Sequence, residues 1–153
     1  MGEALAEARL GAAEGERPVG AVVVVNDAMV VRAHDRTSGS ADPTAHAVVS
    51  ALREAARKLG PAALRDATIF TTLEPCAMCV GSLLACDAET LVFATPDEAD
   101  GAAGSALQLA RHPALRRRLT VVSGIRGEEA AELVDPAGDP VGAPPAVSRG
   151  GAD

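Results

Sequence analysis

The stretch of sequence that decides the fold is Thr72-Leu-Glu-Pro-Cys-Ala-Met-Cys-Val-Gly-Ser-Leu-Leu-Ala-Cys86. Its first two cysteines, Cys76 and Cys79, have the C-x-x-C spacing of metal ligands and follow a proline. An upstream stretch, Asp42-Pro-Thr-Ala-His-Ala-Val-Val49, adds His46. One imidazole and two thiolates leave the fourth position of a tetrahedral zinc ion to water, as in catalytic rather than structural zinc sites. The sequence therefore predicts a Zn²⁺ site of the catalytic type at His46, Cys76 and Cys79.

The cysteine content admits other interpretations. Three cysteines, an odd number, do not suggest a disulfide framework, but a redox-active or an inert C-x-x-C pair competes with zinc. We favour zinc because Glu74 and Pro75 precede the pair and a histidine lies about thirty residues upstream, a pattern that fits a zinc site better than a redox or an inert pair. A helix that begins at this point also stabilises thiolates with its free N–H groups and the positive end of its dipole. Cys86, two helical turns beyond Cys79, is either a third thiolate ligand or a small buried hydrophobic residue.

Length and composition indicate one compact domain, which we place at residues 1–134 of the 153. Residues 135–153 are rich in proline and glycine, and we predict a disordered tail there. The formal net charge of -7 argues against nonspecific binding to nucleic-acid phosphates, although Arg116–Arg118 form one basic cluster. No signal sequence is recognisable and no apolar run reaches the roughly 18 residues that cross a bilayer, so we expect a cytoplasmic protein without a membrane partner.

Strand and helix patterns alternate along the chain and predict an α/β fold with helices on both faces of a mixed sheet. The β-branched run Val19–Val25 lacks alternation, as expected of a central strand that is covered on both faces. The other predicted strands lie at 29–33, 68–73, 90–94 and 119–122, and the predicted helices at 3–15, from 42 or 44 to 59, at 77–86, at 106–111 and at 128–134.

Four segments resemble the bacterial tRNA adenosine deaminases of the cytidine deaminase-like superfamily: Pro18-Val-Gly-Ala-Val-Val-Val24, Asp42-Pro-Thr-Ala-His-Ala47, Thr72-Leu-Glu-Pro-Cys-Ala-Met-Cys-Val-Gly81 and Gly101-Ala-Ala-Gly-Ser105. The resemblance covers about residues 3–133, and small-molecule guanine deaminases share several of these motifs. It implies a three-layer α/β/α sandwich with a five-stranded mixed sheet, one zinc ion per subunit and a homodimer.

The resemblance also implies a chemistry, from which this sequence departs. In hydrolytic deamination zinc activates water, and a glutamate two residues after the histidine carries the protons. That position is Val48 here, and valine can transfer no proton. Asp35 and Ala47 lie at substrate-binding positions by resemblance. Asp35 replaces a family asparagine, and its carboxylate accepts hydrogen bonds but donates none unless it is protonated.

Three hypotheses about function follow. The first is a zinc-binding member of the deaminase family that is impaired or inactive because Val48 replaces the proton-shuttle glutamate. The second is an active deaminase of a small purine- or pyrimidine-like substrate or of tRNA adenosine, with Asp35 or Glu74 as the acid. The third is a non-catalytic regulatory or partner subunit with structural zinc, for which a heterodimer is possible. The acidic composition favours a small nucleobase or nucleoside over tRNA as the partner.

Overall fold

The computed structural model describes residues 1–134, and the predicted disordered tail lies outside the described residues. The five strands are β1 (Gly20–Val25), β2 (Ala28–His34), β3 (Thr68–Leu73), β4 (Thr90–Thr95) and β5 (Thr120–Ser123). The four α-helices are α1 (Gly2–Ala13), α2 (Ala47–Leu59), α3 (Ala77–Ala85) and α4 (Gly127–Ala131), and a 3₁₀ helix covers Pro61–Leu64.

The strands form one mixed sheet in the order β2-β1-β3-β4-β5. β1 pairs antiparallel with both β2 and β3, whereas β3, β4 and β5 run parallel. A register shift between Val23 and Val24 interrupts the pairing of β1 with β2 near their connecting turn. The five-stranded mixed sheet that the resemblance implies is confirmed, and β1 is an interior strand as its unbroken β-branched run predicts.

Helices cover both faces of the sheet. On one face α1 contacts β1, β2 and β3, α4 contacts β3 and β4, and a small cluster joins Leu5, Ala94 and Ala130. On the other face α2 contacts β1, β2 and β3, and it also contacts α3. The main core lies on this second face and consists mostly of alanine, valine and leucine, including Val48, Leu52 and Leu83. The α/β sandwich is therefore confirmed, with a core of small side chains.

Two expected helix positions are corrected by hydrogen bonds that involve side chains. α2 begins at Ala47 rather than near Asp42, because Asp42 Oδ1 accepts hydrogen bonds from the backbone N–H and the hydroxyl of Thr44 and forms a turn. The predicted helix at 106–111 is wrong. Ala103 instead forms an isolated bridge with Gln108, and its backbone N–H donates to Glu74 across the fold.

The sheet topology brings the ends of four strands together at one end of the sheet. The first residue of β1 lies at the same end of the sheet as the last residues of β2 and β3, because both of these strands run antiparallel to β1. The end of β4 joins them because β4 runs parallel to β3. Residues just outside these strand ends therefore share one end of the sheet, where α/β proteins place their ligands. No helix within residues 1–134 is long and apolar enough to span a membrane.

The contact between α1 and β1 depends on Gly20. A Cβ atom at this position would lie 1.9 Å from the carbonyl oxygen of Ala4 and 2.7 Å from the backbone nitrogen of Ala8. We expect Gly20→Ala to destabilise the fold by about 2 kcal/mol or more, because α1 would have to move away from the sheet. Urea unfolding followed by circular dichroism measures this change.

Gly81→Ala is the matched control for Gly20→Ala. Gly81 lies inside α3, and a Cβ there meets nothing within 4 Å. Alanine is the better helix former by about 1 kcal/mol, so this variant is expected to be as stable as the unsubstituted chain or slightly more stable. Equal unfolding midpoints for the two alanine variants would contradict close packing of α1 on Gly20.

Candidate metal centre and pocket

The three predicted ligands meet in space. Nδ1 of His46 lies 3.6 Å from Sγ of Cys76 and 3.5 Å from Sγ of Cys79, and all three ligand atoms lie within 4.8 Å of one another. With Zn–S bonds of about 2.3 Å and a Zn–N bond of about 2.1 Å, tetrahedral geometry places nitrogen and sulfur about 3.6 Å apart. The distances in this chain therefore fit a zinc ion bound by one histidine and two cysteines.

The ligands are carried by the N-terminal ends of two helices. His46 is the N-cap of α2 and Cys76 the N-cap of α3, and both have extended backbone angles. Cys79 follows in the first turn of α3. His46 was expected inside the first turn of its helix and instead precedes it, because α2 starts late. The N-terminal dipole end of α3 faces the two sulfur atoms and favours their thiolate forms.

Contacts within the cluster shift the pKa values of its members. The hydrogen bond with Cys79 and that with His46 lower the pKa of Cys76 to about 3. The same contact with Cys76, together with burial, raises the pKa of Cys79. The hydrogen bond with Cys76 raises the pKa of His46. Cys76 therefore carries the negative charge of the cluster at neutral pH, and a bound metal would displace the proton of Cys79.

The metal ligands lie on a small pocket with a cavity volume of about 20 Å³, which is room for about one water molecule. Ala47 and Val48, the first residues of α2, form part of its wall, and Val48 is 3% exposed. Asp35, which follows β2, also lines it. The structure thus brings the predicted residues Asp35, Ala47 and Val48 to the same cavity as the three metal ligands. This small cavity has room for water as a fourth ligand, as in a catalytic zinc site.

Three acids line this pocket, and two of them accept hydrogen bonds from the loop after β4. Glu74 Oε1 accepts hydrogen bonds from the backbone N–H groups of Ala103 (2.9 Å) and Ser105 (3.1 Å). Glu74 Oε2 accepts from the backbone N–H of Asp97 and from the hydroxyl of Ser105. Asp97 Oδ1 accepts from the N–H groups of Ala99 and Asp100. Both carboxylates therefore organise the loop after β4.

Asp35 is the third acid and is held differently. It is 2% exposed, and its Oδ1 accepts hydrogen bonds from the backbone N–H (3.1 Å) and the hydroxyl (2.8 Å) of Thr37. Its Oδ2 makes no hydrogen bond to any residue in the described part of the chain. Asp35 is thus the pocket acid with one oxygen still available to a ligand.

Arg17 and Asp97 were missed by sequence reasoning. Arg17 immediately precedes the Pro18 motif and Asp97 comes shortly after β4, so both lie at the sheet edge where the four strand ends meet. Arg17 Nη2 lies 3.6 Å from Asp97 Oδ2. Arg17 could have been predicted as a pocket residue because it is a charged residue just before a buried strand. Only the sheet topology shows which strand ends lie together, so its pairing with Asp97 could not have been predicted.

The remaining candidate ligands lie outside the centre. Cys86 caps the C-terminal end of α3 and is not part of the metal cluster, which is consistent with a small, partly buried side chain. His34 contacts two carboxylates of α1 and its C-terminal cap, with Nδ1 2.8 Å from Glu7 and Nε2 3.2 Å from Glu14. A third thiolate ligand is therefore not supported by the geometry.

The mixed sheet and its His-Cys-Cys centre together define a zinc-binding α/β protein of the deaminase class. Residues 1–95 match the family described as the cytidine and deoxycytidylate deaminase zinc-binding region. This chain belongs to that family. The resemblance inferred from the four sequence segments is therefore confirmed, as is zinc as the cofactor.

Two sequence relatives and one solved structure show where the chain lies within the family. It is 35% identical to the tRNA-specific adenosine deaminase of Bacillus subtilis over 134 residues, covering 88% of this chain and 83% of the relative. It is 43% identical to the tRNA(Ile)-lysidine synthase of Deinococcus radiodurans over 136 residues, covering 88% of this chain but 23% of the relative. A structure from a study of A-to-I editing by tRNA:A34 deaminases at the wobble position superposes with a TM-score of 0.84 at 34% identity, covering 87% and 96% of the two chains.

These relatives correct one expectation. A small nucleobase or nucleoside was favoured over tRNA because the chain is acidic, and this preference is wrong, since the relatives are named for their action on tRNA. The physical reason is that a net charge of -7 is an average over the whole surface, whereas contacts with nucleic acid depend on a few local groups. The predicted homodimer or heterodimer is not shown by a structure of one chain.

We expect the purified chain to hold about one zinc ion, and Cys76→Ala or Cys79→Ala to release it, because two ligands bind zinc far more weakly than three. Metal analysis of gel-filtered protein by mass spectrometry gives the ratio of zinc to chain. Cys86→Ala is the matched control and should retain the metal. Folded protein that contains no zinc in its unsubstituted form would refute the site.

Proposed function

We propose that this chain is a zinc-binding protein of the deaminase family that receives an adenosine of tRNA in the pocket beside His46, and that its hydrolytic activity is impaired. The observation that carries the proposal is the apolar wall formed by Val48, at the position where the deaminase signature H-x-E has its glutamate. Zinc would supply an activated water molecule to this chemistry, and His46, Cys76 and Cys79 would hold the ion.

The missing group is one that moves protons. Deamination requires a proton to be taken from water and given to the base and to the departing ammonia, and one carboxylate serves these transfers in the family signature. The Val48 side chain has no ionisable group, and it is packed into the main core. A positioned acid or base contributes about 10²- to 10⁴-fold to a rate, so its loss leaves a slow reaction.

Glu74 and Asp97, the other acids of the pocket besides Asp35, support impaired deaminase activity rather than a second acid that replaces the missing glutamate. Glu74 accepts hydrogen bonds at both oxygens, and Asp97 is committed to two backbone N–H groups through Oδ1 and faces Arg17 through Oδ2. Releasing Glu74 would leave the buried N–H groups of the loop after β4 unpaired, at about 1–3 kcal/mol each. Glu74 is therefore not free to carry protons without disturbing that loop, and Oδ2 of Asp97 faces the guanidinium of Arg17.

The tRNA part of the proposal is supported by the relatives. The names of both sequence relatives described above state that they act on tRNA. The chain spans only about a quarter of the Deinococcus protein. The superposed structure comes from work on deaminases of the wobble adenosine, and it aligns over 96% of its own length. The first position of a tRNA anticodon is therefore the first substrate to test.

Asp35 gives the second candidate function, an active deaminase with an unusual acid. Its Oδ2 is not hydrogen bonded to a described residue, and its side chain lines the same pocket as His46. A carboxylate with one available oxygen can accept a proton from water and return it. This candidate differs from the first in that the unsubstituted chain would release ammonia from adenosine in RNA.

We expect Val48→Glu to raise deamination of an anticodon stem-loop RNA by about 10²- to 10⁴-fold. Position 48 is the second residue of α2, where the positive end of the helix dipole favours a carboxylate. Conversion of adenosine to inosine is measured by digestion and chromatography. Val48→Gln, which has a similar side chain without the carboxylate, is the control and should stay at the level of the unsubstituted chain. A Val48→Glu variant that binds zinc and RNA without activity would refute the proposed role of position 48.

Asp35→Asn separates the two candidates. It keeps the size of the side chain and the hydrogen bonds from Thr37, which an amide oxygen also accepts. If Asp35 carries the protons, residual activity of the unsubstituted chain falls by about 10²-fold or more. If the chain is impaired through Val48, the substitution leaves the low rate unchanged within severalfold. Zinc content serves as the control for folding.

A further inference from the structure

Arg17 is the one Lys or Arg side chain among the pocket-lining residues that the structure describes. It lies before β1, at the pocket mouth, with a quarter of its side chain exposed. Its Nε is buried and makes no hydrogen bond within the described residues. Within residues 1–134 its one ion pair is the contact from Nη2 to Asp97 Oδ2 at 3.6 Å, which is longer than a hydrogen bond. The guanidinium therefore has donors that its own fold leaves unsatisfied.

Asp97 does not depend on Arg17 for its position. Its Oδ1 accepts two backbone hydrogen bonds at 3.1 Å, and its own N–H donates to Glu74. A ligand can therefore take the guanidinium from Asp97 without disturbing the loop after β4. Because a buried unpaired donor is costly, an acceptor that satisfies Arg17 is favoured beyond its own contacts.

A phosphate is the acceptor that suits this residue. A base that enters the pocket from RNA brings the phosphates of its own nucleotide to the mouth, and the planar guanidinium matches two phosphate oxygens at once. The acidic side chains that line the pocket, Asp35, Glu74 and Asp97, repel a phosphate. Arg17 is thus the group in the described lining that can offset this repulsion with a permanent positive charge.

We propose that Arg17 binds the backbone phosphate next to the base that occupies the pocket, and so makes an acidic protein able to hold an RNA strand at this site. The inference rests on the proposed binding of tRNA. It assigns to a residue of this chain a contact that does not depend on whether deamination occurs, because the phosphate lies outside the reacting base.

Binding of an anticodon stem-loop RNA to the zinc-loaded chain tests the inference, with fluorescence anisotropy measured from about 50 to 200 mM salt. Arg17→Met should weaken binding about tenfold or more and reduce the slope of log K against log salt by about 0.7 to 1, the value for one lost phosphate contact. Arg17→Lys, which keeps the charge without the planar fork, should keep the slope and lose less affinity.

A neutral phosphate identifies the partner. Two RNAs are compared, one with a methylphosphonate on the 5′ side of the adenosine and one with it on the 3′ side. We expect one of the two to bind the unsubstituted chain and Arg17→Met equally well, because the phosphate that Arg17 contacts is then neutral. Arg65→Met is the control for a general loss of charge, because Arg65 precedes β3 and lies at the opposite end of the sheet from the pocket. Arg65→Met should still bind the natural RNA more tightly than the RNA with the critical methylphosphonate, as the unsubstituted chain does.

The outcomes separate this inference from the proposed function. If the unsubstituted chain does not bind the RNA, the proposed function fails and the role of Arg17 fails with it. If the RNA binds but Arg17→Met leaves affinity and salt slope unchanged, only the role of Arg17 is overturned. It is overturned likewise if Arg17→Met weakens both methylphosphonate RNAs as strongly as the natural RNA.

Discussion

The buried carboxylate of Glu74 is the contact on which the site depends. It lies between β3 and α3, is 2% exposed, and accepts hydrogen bonds from three backbone N–H groups and one hydroxyl. A buried charge is tolerated only when it is neutralised in this way. The bonds fix the loop after β4 to the start of the helix that carries Cys76 and Cys79. Gly101 permits the approach, because a Cβ there would lie 2.5 Å from Glu74 Cδ.

This arrangement shows why some parts of the molecule could be predicted from sequence and others could not. The metal ligands are signalled by short-range spacing, and the strands by β-branched runs, so both were predicted. The helix expected at 106–111 failed because the backbone N–H groups of Leu107, Leu109 and Ala110 donate to the carbonyl oxygens of Gly101 and Ala102. These carbonyls belong to the loop that Glu74 holds from about thirty residues away in sequence. Local propensity cannot register such a competitor.

The pocket also contains some residues that could be predicted from sequence and others that could not. Val48 and Ala47 follow His46 in sequence, so their place in the wall could be inferred once the ligand was identified. Arg17 and Asp97 come together only because β1 starts where β4 ends, which depends on strand order and direction. The preference for a small nucleobase over tRNA was wrong for a related reason, since composition reports the average charge of the chain and not the charge at one site.

The valine at position 48 also has a consequence for the energetics of folding. Active sites commonly lower the stability of a protein, because they hold charged groups away from water and leave them without partners until substrate arrives. Val48 instead belongs to the main hydrophobic core and is almost completely buried. Valine at this position therefore adds no acid that must be desolvated beside the metal ligands. Position 48 contributes its packing to the core that supports the pocket.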